Sequence, residues 1–136
     1  MRGFRNTRAC LFGVFSASLV VQQAGSAERL IAIALKSNET IEVTDLFYAP
    51  DCKSILKSTP TAEILDGPPG VTVSIKEAQV VPRQQHCAKP VSGGKLYVTA
   101  GPIDDYSVSK LLVRLTFNTK DGERKYTNNY EITLIP

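Results

Sequence analysis

Long apolar runs are scarce in this chain. The longest, Ala9 to Val21, holds thirteen residues, short of the ~20 that a membrane-spanning helix needs. Histidine occurs once, as His86, and the one methionine is Met1. A soft-metal site therefore has almost nothing to draw on. A catalytic imidazole would have to be His86, backed by Glu77 or a serine placed in space. No Gly-x-Ser-x-Gly motif occurs. No Cys-x-x-Cys pair occurs either, since the three cysteines are Cys10, Cys52 and Cys87. Gly67-Pro68-Pro69-Gly70 is no phosphate loop, because two of its four residues have no N–H to donate and no Lys-Ser/Thr follows. It reads as a stiff corner.

A surplus of positive charge is also missing once the N-terminus is set aside. Met1 to Arg8 is basic, Ala9 to Val21 is apolar, and Ala24-Gly25-Ser26-Ala27 offers small residues for cleavage. This order is that of a secretory signal peptide, residues 1–27, with cleavage expected after Ala27 or, second, after Ser26. Cys10 has no small-residue lipobox before it and leaves with the signal. Of the 16 basic residues, Arg2, Arg5 and Arg8 leave too, so the 13 acidic residues face an equal number of bases. A formally neutral product gives no support for nucleic-acid binding, which needs a basic surface. Residues 28–136 then form one domain, exported, with no membrane span and with no cofactor implied.

In an oxidising compartment Cys52 and Cys87 are the only remaining pair, and they are expected to form a structural disulfide. The rest of the chain speaks mainly of β structure. Leu111, Val113, Leu115 and Phe117 alternate with polar neighbours and Leu112. Across Asn118 to Glu123, Tyr126, Tyr130, Ile132 and Leu134 share one parity. Period two on both sides of an Asp-Gly step predicts a hairpin over Lys110–Pro136 with one buried face. Shorter strands are expected over 30–35, 40–48, 62–65, 71–75, 78–81 and 95–100. Lys76-Glu77 reads as a bulge or tight turn. Cys52 to Leu56 reads as one helical turn capped by Asp51 or as a short strand. Pro82 to Gly94 reads as a long polar connection. Asn38-Glu39-Thr40 matches a glycosylation sequon, which matters only in a eukaryotic secretory route.

Seven or eight short strands with almost no helix predict an all-β sandwich. Tryptophan is absent, so the Cys–Trp–Cys core of antibody domains is excluded. The stretch L-L-V-R-L-T-F-N-T-K-D-G followed by Y-E-I-T-L-I-P, from Leu111 to Pro136, resembles the last two strands of bacterial immunoglobulin-like modules. The order Gly67-Pro68-Pro69, Cys87, Gly93-Gly94 also resembles small secreted proteins of Gram-negative bacteria. These resemblances imply an immunoglobulin-like β-sandwich and a periplasmic address, and no activity.

The function expected from this reading is a non-enzymatic binding module for a protein or cell-envelope ligand. The alternative is a small extracytoplasmic hydrolase or metal-dependent enzyme built on His86, Glu77 or the aspartates. Tyr106, in a loop, and Tyr48, next to Phe47, are the expected partner contacts, because aromatics are enriched at interface hot spots. Asp104, Asp105 and Asp121 are the candidate calcium ligands, although Ca²⁺ takes six to eight oxygens and no ordered ligand spacing is present.

Overall fold

The computed structural model describes residues 30–136. The expected signal peptide, its cleavage site and Cys10 lie outside the described residues. Seven strands follow in order: β1 (Ile31–Lys36), β2 (Thr40–Leu46), β3 (Thr61–Asp66), β4 (Val71–Val80), β5 (Val91–Ala100), β6 (Ser107–Thr119) and β7 (Gly122–Ile135). Two short 3₁₀ turns, Pro50–Cys52 and Arg83–Gln85, are the only helical segments among them. No described helix is long and apolar enough to cross a membrane.

The strands form two sheets, ordered β1-β7-β6-β3 and β2-β5-β4. Their apolar faces share one core. Leu35, Leu111, Val113, Leu115, Tyr130 and Ile132 come from the first sheet, and Leu46, Leu96 and Val98 from the second. The expected sandwich architecture and the Cys52–Cys87 bridge are both present. β1 runs parallel to β7 from Ile31↔Tyr130 to Lys36↔Ile135, whereas the other ladders are antiparallel.

The β6–β7 hairpin carries the alternation that its sequence shows. Leu111, Val113, Leu115 and Phe117 are buried and their neighbours are not. The turn is made by Lys120 and Asp121, and Gly122 takes the left-handed φ of 112° that the Asp-Gly step allows. Thr119, nearly fully buried, ties the turn together, since its Oγ1 donates to the Gly122 carbonyl at 2.7 Å and accepts from the Asp121 N–H at 3.2 Å.

Three local expectations are corrected. β4 does not break at Lys76-Glu77, and its pairing with β5 is unbroken from Val71↔Ala100 to Val80↔Val91. The parity change that suggested a bulge is a change of face. Val71, Val73 and Ile75 pack on the main core, while Ala78 and Val80 join Ala49, Val91 and Phe47 in a second apolar cluster. Even and odd positions of one strand point to opposite faces, so the second cluster lies on the outer side of the sheet. On the inner side the same stretch is polar, and the Gln79 amide donates to Ser92 Oγ at 3.2 Å.

Gly93 and Gly94 belong to β5, not to a connection. A Cβ on Gly93 would strike the Leu46 carbonyl oxygen and Val80 Cγ2, and one on Gly94 would meet Ile75 Cγ2 at 2.8 Å. The glycines are strand residues chosen for close approach. The third correction concerns Cys52. The helical turn ends at that residue and does not begin there, and Asp51 lies inside it at φ 54° and is not its N-cap.

Candidate functional site

Backbone hydrogen bonds gather the loops at two ends. At one end the Lys57 N–H donates to the Asn118 carbonyl and the Lys120 N–H to the Ile55 carbonyl. These bonds pin the β2–β3 connection to the hairpin turn. The Cys52–Cys87 bridge, with Cα atoms 5.5 Å apart, adds the β4–β5 connection, and Ser54 Oγ donates to the Ser92 carbonyl at 3.0 Å. At the other end the Asn38 N–H reaches the Gly101 carbonyl, the Gly101 N–H reaches that of Gly70, and the Ile103 N–H reaches Ser37 Oγ. β6 joins the two ends. Its 13 residues make a strand roughly 40 Å long at ~3.3 Å per residue.

The bridged end holds an aromatic cluster. Phe117 lies beneath two tyrosines, with Tyr48 tilted against it at 6.2 Å between ring centroids and Tyr126 edge-on at 5.6 Å. Such contacts fix ring orientation. Hydrogen bonding to Tyr48, then partial burial, holds the Tyr126 phenol above its ordinary pKa, with Arg124 acting in the opposite sense. Phe47, Tyr48, Ala49, Pro50, Gln85 and Tyr126 line a groove of about 380 Å³. Its walls are held by the disulfide and by three left-handed residues beside it, Asp51, Cys52 and His86. For non-glycine residues that backbone is costly, and it persists where surrounding structure imposes it.

Charge separates between the ends. The three connections at the bridged end carry Lys53, Lys57, Arg83, Lys89 and Lys120 against Asp51 and Asp121. The three at the other end carry Glu39, Asp104 and Asp105 and no base. The described residues, formally neutral together, are thus positive at the groove end and negative at the opposite pole.

The sequence-predicted residues fall as follows. Tyr48 lines the groove. Tyr106 is 64% exposed in the β5–β6 loop, at the opposite pole. Asp104 and Asp105 directly precede Tyr106, while Asp121 sits at the hairpin turn, so the three aspartates lie at the two ends of β6 and do not converge. Among the described residues no three His, Cys, Asp or Glu side chains form a group able to hold a metal ion. His86 is exposed at the end of the second 3₁₀ turn, and its neighbour Cys87 is bonded to Cys52. A second groove of about 570 Å³ runs over the outer face past Asp45, Phe47, Val80, Arg83 and Lys95. There Glu42 at 2.8 Å and Asp45 at 3.7 Å neutralise Lys95.

Tyr126 corrects the reading of the hairpin. It shares the parity of the core residues Tyr130, Ile132 and Leu134, yet it is 47% exposed. The reason is length: among the described residues β1 begins at Ile31, opposite Tyr130, so there β7 outruns the strand that flanks it. No local sequence signal marks where such cover ends.

No protein-family model matches this chain, nor does any curated protein or solved structure. What defines its class is therefore the fold: an all-β sandwich of two sheets closed at one end by a disulfide.

Proposed function

We propose that this is an exported, immunoglobulin-like, non-enzymatic binding module, periplasmic in address, that engages an anionic partner through its bridged end. One observation carries the reading. An aromatic-lined groove opens among loops that hold five bases against two acids and that are cross-linked to one another. Half-exposed tyrosine rings supply contact area at low entropic cost, since few torsions are left to freeze. The bases steer an acidic partner toward them. Loops held by hydrogen bonds and a covalent bridge lose little freedom on binding, which favours affinity. The export signal expected in residues 1–27 and the disulfide suit an oxidising envelope compartment.

Capture from a periplasmic extract tests this reading, with the mature oxidised protein and its Tyr126→Ser variant as paired baits. The expected outcome is a partner retained by the parent and lost with the variant. Equal retention by both would move the binding surface elsewhere.

A further inference from the structure

We propose that the anionic partner of the groove is the opposite pole of a second copy of this chain. The protein then self-associates head to tail, with Tyr106 of one copy seated in the groove against Tyr48 and Tyr126 of the next. This rests on the binding reading above and goes further by naming the partner.

The two poles complement each other in charge and in shape. The groove end has a net charge of +3 on its connections and the far end −3. Among the described residues Tyr106 is the most exposed of the large apolar and aromatic side chains, at 64%, and Asp104 and Asp105 directly precede it. An aromatic tip with two carboxylates beside it is the counterpart of an aromatic groove at an end whose connections carry four lysines and an arginine. The groove, at about 380 Å³, has room for one tyrosine ring. Gln85 lines it as a hydrogen-bond partner for a phenol.

The tip is also held in place. The Ile103 N–H donates to Ser37 Oγ at 2.9 Å and the Gly101 N–H to the Gly70 carbonyl at 2.8 Å. Tip and groove lie at opposite ends of β6, so the tip cannot reach the groove of its own molecule. The contact must be intermolecular, and it joins different surfaces of the two copies. Contacts of that type repeat, giving open chains or closed rings. Two loops against one groove cover less than the ~1,200 Å² of stable complexes, so the association is weak and concentration-dependent.

Sedimentation velocity on the mature, oxidised protein over a concentration series tests this. The parent should sediment as monomer when dilute and as a growing series of oligomers when concentrated. The series should collapse in 1 M salt, where the screening length falls to about 3 Å. Tyr106→Ser removes the tip and Tyr126→Ser one wall of the groove. Each variant alone should stay monomeric, and an equimolar mixture should give a dimer that grows no further, since only one productive contact remains. Lys120→Glu/Arg124→Glu is a second groove variant, which leaves the Tyr126–Phe117 contact in place, and it should behave as Tyr126→Ser does.

A parent that stays monomeric up to its solubility limit overturns self-association. So do variants that still assemble, or a mixture that stays monomeric. If the parent is monomeric while extract capture still depends on Tyr126, self-association fails and the binding surface stands. If neither occurs, both fail.

Discussion

Phe117 and Tyr126 meet edge to face, 5.6 Å between ring centroids, although one ring is buried and the other half in solvent. They are not opposite one another in the ladder, where Phe117 faces Arg124 and Tyr126 faces Leu115. The contact is diagonal, within reach of aromatic side chains. Through it the core of the sandwich fixes the ring that forms one wall of the groove.

Removal of the disulfide and disruption of the core should differ in size. The bridge joins residues 35 apart in sequence, and on the chain-entropy model its loss costs roughly 3–4 kcal/mol. Cys52→Ala/Cys87→Ala should therefore fold and melt earlier in denaturant. Leu115 is 3% exposed, and Leu115→Asp places an unpaired charge among apolar side chains, which costs more than about 4 kcal/mol. If Leu115→Asp melts like the parent, Leu115 faces water and the hairpin register is wrong.

Gly93→Ala should destabilise by about 1–3 kcal/mol or more, because its methyl group meets the backbone of Leu46 and not only the movable Val80 side chain. Gly70, with nothing within 4 Å of a Cβ but a φ of 79°, should lose less on the same change, about 1 kcal/mol. Thermal melts of the two variants compare them. A Gly93→Ala protein as stable as the parent would show that β2 does not press on β5 there.

Stability should fall on the alkaline side. Tyr130 is fully buried, and burial holds its phenol above the ordinary pKa of 10.0, a shift opposed by the Asn128 amide at 3.1 Å. The folded state thus keeps a proton that the unfolded chain gives up as pH passes 10.0. This contribution is complete below that pH and declines above it. Tyr126 shifts in the same sense, but its exposure makes its share small. Urea melts from about pH 8 to about pH 11 should show the decline, less steep in Tyr130→Phe. An identical slope in that variant would mean that other groups control it.

Export should yield a chain that begins at Glu28 or Ala27, as the order of basic, apolar and small residues in 1–27 implies. Intact mass of the secreted product reads this directly. A full-length species held in the membrane would contradict it.

Much of the architecture is legible in residue order. Leu111 to Phe117 show period two because a single sheet face is buried, and Cys52 and Cys87 are the one pair outside the expected signal peptide. What misleads is anything that depends on both sides of a strand. The apolar parity of β4 shifts between Ile75 and Ala78 because each half packs on a different cluster, and a one-dimensional reading turns that into a bulge. Gly93-Gly94 reads as a turn because close approach and chain reversal both call for glycine. The site was half visible. Tyr48 and Tyr106 stand out as aromatics near loops, but nothing local says that they occupy opposite poles. Tyr126 carries the parity of a core residue. The charge separation appears only when the loops are sorted by end.

Photocross-linking in the envelope of cells making the protein tests the groove most directly. A photoreactive phenylalanine analogue would replace Tyr126 in one strain and Ser74, exposed midway along the outer face of β4, in another. Cross-linked adducts are expected from position 126 and not from position 74, whether the trapped species is another protein or a second copy. Adducts at position 74 with none at 126 would contradict the assignment of the bridged end as the binding surface.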